Sequence, residues 1–154
     1  MATLDDADKS ILHHLQRDAT LKTRELSEKV NLSYTPVYER VRKLEKEGII
    51  KQYVALVDRE KVGKKLMVIC CVALKEHSRT MGEKFVTAIM GYSEVLECLN
   101  ISGEYDFLLK VVVSDMPEYQ RFLMEKLGSL ENIIGSTQSQ FVMGEIKSTT
   151  LLHL

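Results

Sequence analysis

The chain has 154 residues, enough for one ordinary domain or two small ones. Its 21 basic and 22 acidic side chains leave a net charge of −1, which excludes a wholesale polycation coating nucleic acid but not a local basic face. With 45% apolar and 28% charged residues, 8 Gly and 2 Pro, the chain is neither disordered nor fibrous.

No apolar stretch approaches the roughly 20 residues that span a bilayer. The opening MATLDDADKS lacks the apolar region of a secretory signal. Cys70, Cys71 and Cys98 are an odd number without CxxC spacing, so small buried thiols are expected rather than disulfides or a metal site. These features point to a reducing cytoplasm and to no membrane association.

In chain order, Leu4, Ile11, Leu12 and Leu15 recur on one face of a first helix, with Asp5 or Asp8 as its cap. A short second helix is expected after Thr23 as cap, with Leu26 and Val30 inward. Asn31 ends it, because Asn tolerates the left-handed backbone. Ser33 opens a third helix with Val37, Val41 and Leu44 inward, and Gly48 stops it. Ile49–Val57 reads as a strand, and Asp58–Lys65 as a polar connector. Split at Val62, the chain carries 12 basic and 11 acidic residues before and 9 and 11 after, too even to assign roles by charge. The expected units are residues 1–62 and 63–154.

The second unit predicts strand, helix, strand, strand, helix, strand. The strands are Leu66–Leu74, Val95–Ile101, Phe107–Val113 and Ser139–Lys147. The helices are Ser78–Met90, with Met81, Phe85 and Ile89 on one face, and Met116–Leu127. This β-α-β-β-α-β order is the ferredoxin-like pattern, an α+β fold. Both faces of the first and third strands are apolar, yet two helices cover one face of a four-stranded sheet. A second copy of the chain is the expected cover for the other, making a homodimer.

The densest functional signal is Arg24–Gly48, RELSEKVNLSYTPVYERVRKLEKEG. Helix, tight turn and second helix form a helix-turn-helix, which presents its second helix to the major groove of double-stranded DNA. The buried face turns Thr35, Tyr38, Glu39, Arg42, Lys43 and Lys46 outward, while Arg24 opens the unit. Ser33, Tyr34 and Thr35 lie at the N-terminal end, where side chains and free N–H groups reach bases or phosphates. Arg42 suits a bidentate contact to guanine or a phosphate, and Lys43 and Lys46 suit the phosphate backbone. Glu39, Glu45 and Glu47 offset most of this charge, so periodicity alone also allows a merely solvated helix.

The run LSYTPVYERVRKLEKEGIIKQYVALVDREKVG resembles the winged helix-turn-helix end of the Lrp/AsnC family of bacterial and archaeal transcription regulators. The runs SGEYDFLLKVVV and FVMGEIK are similar to that family's effector domain. The resemblance covers residues 4–147, with departures from a relative at Tyr34, Glu39 and Gly144. It implies DNA binding as dimers, often assembled into octamers, tuned by a small molecule that is commonly an amino acid. It further implies an effector site between neighbouring dimers. On this chain that site maps to the turn Ser102, Gly103, Glu104, Tyr105 and Asp106, and to the segment Ser136, Thr137, Gln138 and Ser139.

Those residue types suit a zwitterion. Asp106 offers an acceptor for an ammonium, and the N–H groups around Gly103 with the Thr137 or Ser139 hydroxyl offer donors for a carboxylate. Gly103 equally suits a plain hairpin turn, and Asp106 a hairpin cap. Two other classes were open to the residues. Ferredoxin-like folds host enzymes, but among His13, His14, His77 and His153 only His77 lies near a site-forming region. It has no evident carboxylate partner in sequence, and no GxSxG, Walker loop or HExxH is present. No catalytic residue or resident cofactor is therefore expected. The remaining alternative is a stand-alone amino-acid-sensing oligomer that does not bind specific DNA.

Overall fold

A computed structural model describes residues 3–154; Met1 and Ala2, the start of the expected first unit, lie outside the described residues. Its elements are α1 (Asp6–Leu15), α2 (Thr23–Lys29), α3 (Tyr34–Lys46), β1 (Leu66–Leu74), α4 (Arg79–Ile89), β2 (Val95–Asn100), β3 (Phe107–Val113), α5 (Met116–Arg121) and β4 (Ile134–Phe141). The chain divides into two compact units, Met1–Leu56 with Lys147–Leu154, and Val57–Ile146. The division thus falls before the connector, and the C-terminal tail groups with the helical unit. Gln16 ties that tail down, donating to the Leu152 carbonyl at 3.1 Å and accepting the Leu152 N–H at 2.7 Å.

In the helical unit, Ile11, Leu12, Leu15, Leu26, Val37 and Leu44 form the core. Asp5 caps α1: its carboxylate accepts the Asp8 N–H at 2.8 Å, and Asp8 reaches back to the Asp5 N–H at 3.4 Å. α2 is capped differently from expectation. Lys22 is its N-cap and Thr23 its first helical residue, because the Glu25 carboxylate accepts the Lys22 N–H at 2.8 Å. Both helices of the motif end in the same way. At Asn31 (φ 56°) Leu32 N–H reaches the Ser27 carbonyl at 3.1 Å, and at Gly48 (φ 70°) Ile49 N–H reaches the Leu44 carbonyl at 2.9 Å. These reversals satisfy the last carbonyls and turn the chain sharply.

The expected strand over Ile49–Val57 does not form. Among the described residues its apolar run has no strand to ladder with, and a strand exists only through its ladder. Val54, Leu56 and Val57 remain exposed, and the Tyr53 hydroxyl instead donates to Glu45 at 3.0 Å.

The second unit is an antiparallel sheet of order β2-β3-β1-β4, the ferredoxin-like arrangement. Val68, Cys70, Val72 and Leu74 share one face with Phe107, Leu109, Val111 and Val113, and pack against Phe85, Ile89, Tyr119 and Phe122 of the helical layer. Met67, Ile69, Cys71, Leu108 and Val112 occupy the opposite face. Ser78 caps α4 by accepting the Met81 N–H.

Two boundaries differ from expectation. The helix begun by α5 passes into a π-helical turn over Phe122–Leu127, then a short 3-10 turn. The last strand is Ile134–Phe141, not Ser139–Lys147. Its partner decides this: β1 pairs from Leu74↔Ile134 to Val68↔Phe141, and beyond Phe141 only Leu66 and Met67 of β1 remain, Met67 accepting the Val142 N–H at 3.0 Å. The apolar Met143 and Ile146, which fall inside the expected strand, are left exposed. At the start of β4 the register shifts, and Gly135 fits there because a Cβ would lie 3.2 Å from the Leu74 carbonyl oxygen.

Candidate functional site

The first candidate surface is the outer face of α3. Val37 and Leu44 are buried and Val41 packs on the same core, so helical geometry turns the opposite stripe to solvent. Ser33, Tyr34, Thr35, Tyr38, Glu39, Arg42, Lys43 and Lys46 are all exposed. Ser33 caps α3 by position, but its hydroxyl makes no capping hydrogen bond and stays free. Arg24 projects from α2 with a long 4.0 Å approach to Glu28. Among the described residues neither Lys43 nor Lys46 has an ion-pair partner, whereas Arg42 lies 3.9 Å from Glu45. Glu45 is itself occupied by Tyr53, whose phenol is pushed up to about 12 by burial, helped by that carboxylate.

One residue of α3 faces the other way. Arg40 Nη1 donates to Asp8 at 2.6 Å and to Asp5 at 2.7 Å. Asp8 is buried, so this pair locks α3 to the capped start of α1 and fixes how the outer stripe is presented. The same contacts hold the Asp5 carboxyl below its usual range, the Asp8 N–H contributing most and Arg40 next. Nothing in the local pattern marks Arg40 as different from Arg42; only the register of the buried face separates them.

The second candidate surface is the β2–β3 turn. Gly103 adopts φ 122°, and no atom lies within 4 Å of where its Cβ would stand, so the backbone there is open to approach. Ser102 and Glu104 are exposed and Tyr105 is half-buried. Asp106 is the knot of the turn. Its carboxylate accepts the Leu74 N–H at 2.7 Å and meets His77 Nδ1 at 2.7 Å. Its backbone carbonyl accepts from the Ile101 N–H and the Asn100 amide, both at 2.9 Å. Burial works to raise its pKa, but the Leu74 N–H and His77 outweigh it and hold the carboxyl below the ordinary range. His77 therefore has a carboxylate partner after all, brought from 29 residues away.

The other expected effector residues sit within β4 rather than leading into it. Register places Ser136 and Gln138 opposite Ala73 and Cys71, and Thr137 and Ser139 opposite Val72 and Cys70. Ser139 faces the core, where its hydroxyl lies 2.6 Å from that of buried Tyr119. Ser136 and Thr137 instead line a cavity of ≈ 270 Å³ with Leu123, Leu127 and Ile134. Since Asp106 N–H bonds to the Val72 carbonyl, the turn and Thr137 flank the same end of β1, one strand apart on either side. At about 4.8 Å per strand they are roughly 10 Å apart, so a ligand touching both must lie across the end of β1.

Known proteins match over both units. Residues 4–51 match the winged helix-turn-helix DNA-binding family, and residues 67–152 the Lrp/AsnC ligand binding domain. The leucine-responsive regulatory protein of Haemophilus influenzae is 40% identical over 151 residues, covering 98% of this chain and 90% of that one. The DNA-binding transcriptional activator DecR of Escherichia coli is 39% identical, covering 98% of this chain and 99% of that one. A crystal structure of a transcriptional regulator from Neisseria meningitidis, in complex with L-methionine, superposes with TM-score 0.92 at 37% identity, over 98% of this chain and 97% of that one. With a helix-turn-helix in one unit and a ferredoxin-like ligand domain in the other, this chain belongs to the Lrp/AsnC family of DNA-binding, ligand-tuned transcriptional regulators.

Proposed function

We propose that α3 reads double-stranded DNA and that an amino acid bound near the Gly103 turn tunes that activity. The observation that carries the reading is the outer face of α3: Tyr34, Thr35, Tyr38, Glu39, Arg42, Lys43 and Lys46 are all exposed, and Arg40 locks the helix in place from behind. Arg42 and Thr35 contact base edges, and Arg24, Ser33, Lys43 and Lys46 contact phosphates. Glu39 faces the same groove and disfavours phosphate beside it.

The effector is an amino acid, as the methionine complex of the Neisseria regulator supports. Backbone N–H groups at Gly103 receive its carboxylate together with Ser102 or Thr137. Asp106 is committed to Leu74 and His77, so its role is to hold the turn and its remaining lone pairs face the ammonium. Glu104, Tyr105, Ser136 and Gln138 complete the surround, and Ser139 acts through Tyr119 from the core side.

The protein works as a homodimer joined through the sheet face away from the helices, with dimers assembling to an octamer. The apolar run of Met67, Ile69, Cys71, Leu108 and Val112 supports this, as do exposed Leu96 and Leu99 on the neighbouring strand. No catalytic role is assigned: His77 makes its described hydrogen bond to Asp106, and that pair braces a turn. Among the described residues no helix is long and apolar enough to cross a membrane.

Two measurements test the reading together. Random duplex is expected to shift in a gel at low salt and to release as salt rises, because phosphate contacts are lost with counterion uptake. In a thermal-shift screen of the common amino acids, a ligand at about 100 times its Kd is expected to add about 2.7 kcal/mol. A melt shift without any duplex binding would identify a stand-alone sensor instead.

A further inference from the structure

The outer stripe of α3 carries an arrangement that DNA binding in general does not require. Tyr34 and Tyr38, one turn apart, stack with ring centroids 6.1 Å apart and planes only 8° from parallel. Both are exposed, at 53% and 44%. One turn further on, the Arg42 guanidinium lies 5.9 Å from the centroid of the Tyr38 ring. The rings are therefore not core residues, and they form a ladder of aromatic, aromatic and guanidinium along one line of the helix.

Two large rings in water on a polar helix face leave apolar surface uncovered, and their mutual stacking fixes their tilt. Held against Tyr38, Arg42 loses rotamer freedom in advance of any contact, so less is lost when its fork meets a partner. Glu45 does not consume that fork: at 3.9 Å it is a charge neighbour beyond hydrogen-bonding reach, and Tyr53 already occupies its other oxygen. Lys43 and Lys46, without aromatic neighbours among the described contacts, remain plain charges suited to phosphate.

The major groove offers one apolar group, the thymine methyl, and one bidentate acceptor edge matched to a planar fork, O6 and N7 of guanine. Resting on the DNA-binding reading above, we propose that Tyr34 and Tyr38 are specificity-determining residues. Their rings cover thymine methyls, and Tyr38 positions Arg42 for a guanine on the same half-site. From Tyr34 to Arg42 the helix rises about 12 Å, so the thymine and guanine lie within about four base pairs of one another.

The test uses the full-length protein and selection from a duplex library with a randomised core at physiological salt. Wild type is expected to enrich thymine with guanine within about four base pairs in each half-site. In the selected duplex, replacing that guanine by 7-deazaguanine removes N7 and is expected to weaken wild type about tenfold, but Arg42→Ala little. Replacing the thymines by deoxyuridine removes only the methyls, and is expected to weaken wild type while leaving a Tyr34→Ser/Tyr38→Ser double variant nearly unaffected. Tyr38→Phe keeps the ring and is expected to keep guanine discrimination, whereas Tyr38→Leu loses about threefold of it. Both side chains are exposed, so all variants are expected to melt like wild type.

A selected sequence lacking the thymine–guanine pair overturns the proposal. So does a Tyr38→Leu variant that weakens every duplex equally, since the rings would then act through the backbone alone. If no duplex binds at any salt, the DNA-binding reading itself falls. That outcome is distinct from the previous two, in which binding persists and only its sequence dependence is missing.

Discussion

His77 Nδ1 stands 2.7 Å from Asp106 Oδ1, while the other oxygen of that carboxylate accepts the Leu74 N–H at 2.7 Å. One side chain thus joins the end of β1, the segment after it and the β2–β3 turn. Asp106→Ala leaves the Leu74 N–H without its acceptor in a half-buried position, and unmet buried donors cost about 1–3 kcal/mol. Exchange of the Leu74 amide, followed by NMR, is expected to accelerate by at least about tenfold, which corresponds to about 1.4 kcal/mol. His77→Ala is expected to leave that amide protected, because the second oxygen keeps its bond. Unchanged exchange in Asp106→Ala would detach the carboxylate from the integrity of the turn.

Arg40→Ala is expected to destabilise the helical unit by about 1–3 kcal/mol, since it strands the buried Asp8 without its cation while Arg40 itself is partly solvated. Chemical denaturation of Arg40→Ala against Arg42→Ala separates the two arginines. Arg42 is exposed and its removal is expected to leave the midpoint nearly unchanged.

That contrast shows where sequence reasoning reaches and where it stops. The inward positions Val37 and Leu44 fixed the outer stripe of α3, and the left-handed cap at Asn31 was legible because Asn at the end of an apolar period has a local reason to be there. The sheet was legible from the long apolar runs of β1 and β3. β4 was not, because IGSTQSQF is polar at most positions and is a strand only through its ladder with β1. The reverse failure occurred at Ile49–Val57, whose pattern suits a strand but which has no ladder partner among the described residues. The Asp106–His77 pair had no signal either, as contacts between distant residues depend on topology and not on spacing.

Val111 and Val112 are adjacent in β3 and point to opposite faces. Val111 packs beneath the helices at 0% exposure; Val112, itself 5% exposed, shares the other face with Met67, Leu108 and the exposed Leu99. An unpaired carboxylate inside the helix-covered core cannot be hydrated, so Val111→Asp is expected to unfold the second unit. Leu99→Asp, on that other face but 49% exposed within one chain, is expected to keep its circular dichroism and to sediment as a smaller species. If Leu99→Asp sediments like wild type, that face is not the dimer surface.

Glu118 contributes to the acid sensitivity expected of the second unit. Its carboxylate accepts from the Ser114 hydroxyl and N–H, and from Lys64 Nζ at 3.0 Å, which together hold its pKa down to about 2 against an ordinary 4.5. A depressed folded-state pKa means that the unfolded chain takes up the proton first. The stabilisation is complete above pH 4.5 and is lost as pH falls through that value toward 2. Glu118→Gln is expected to lower stability at pH 7 and to flatten its pH dependence between those limits. Parallel acid-unfolding curves for the two proteins would remove Glu118 from the acid response.

Gly103 is the position where the effector reading can be cut from the fold. Its φ of 122° strains any residue with a Cβ, yet no neighbouring atom blocks the added side chain. Gly103→Ala and Gly103→Val therefore share the backbone strain, about 1–3 kcal/mol, which both unliganded melts are expected to show. Only valine adds branched bulk over the N–H groups proposed to receive the carboxylate. The ligand-induced melt shift is thus expected to shrink in Gly103→Ala and to vanish in Gly103→Val. By linkage, a ligand changes DNA affinity only through its difference in affinity between protein states, typically about 1–3 kcal/mol. Loss of the melt shift in Gly103→Val is then expected to remove the effector's influence on duplex binding while leaving ligand-free duplex affinity near wild type, since α3 is untouched. Sedimentation with and without the amino acid completes the test. An equal ligand-induced mass change in wild type and Gly103→Val would place the effector away from the turn, and a DNA response in wild type without any mass change would place the switch within the dimer.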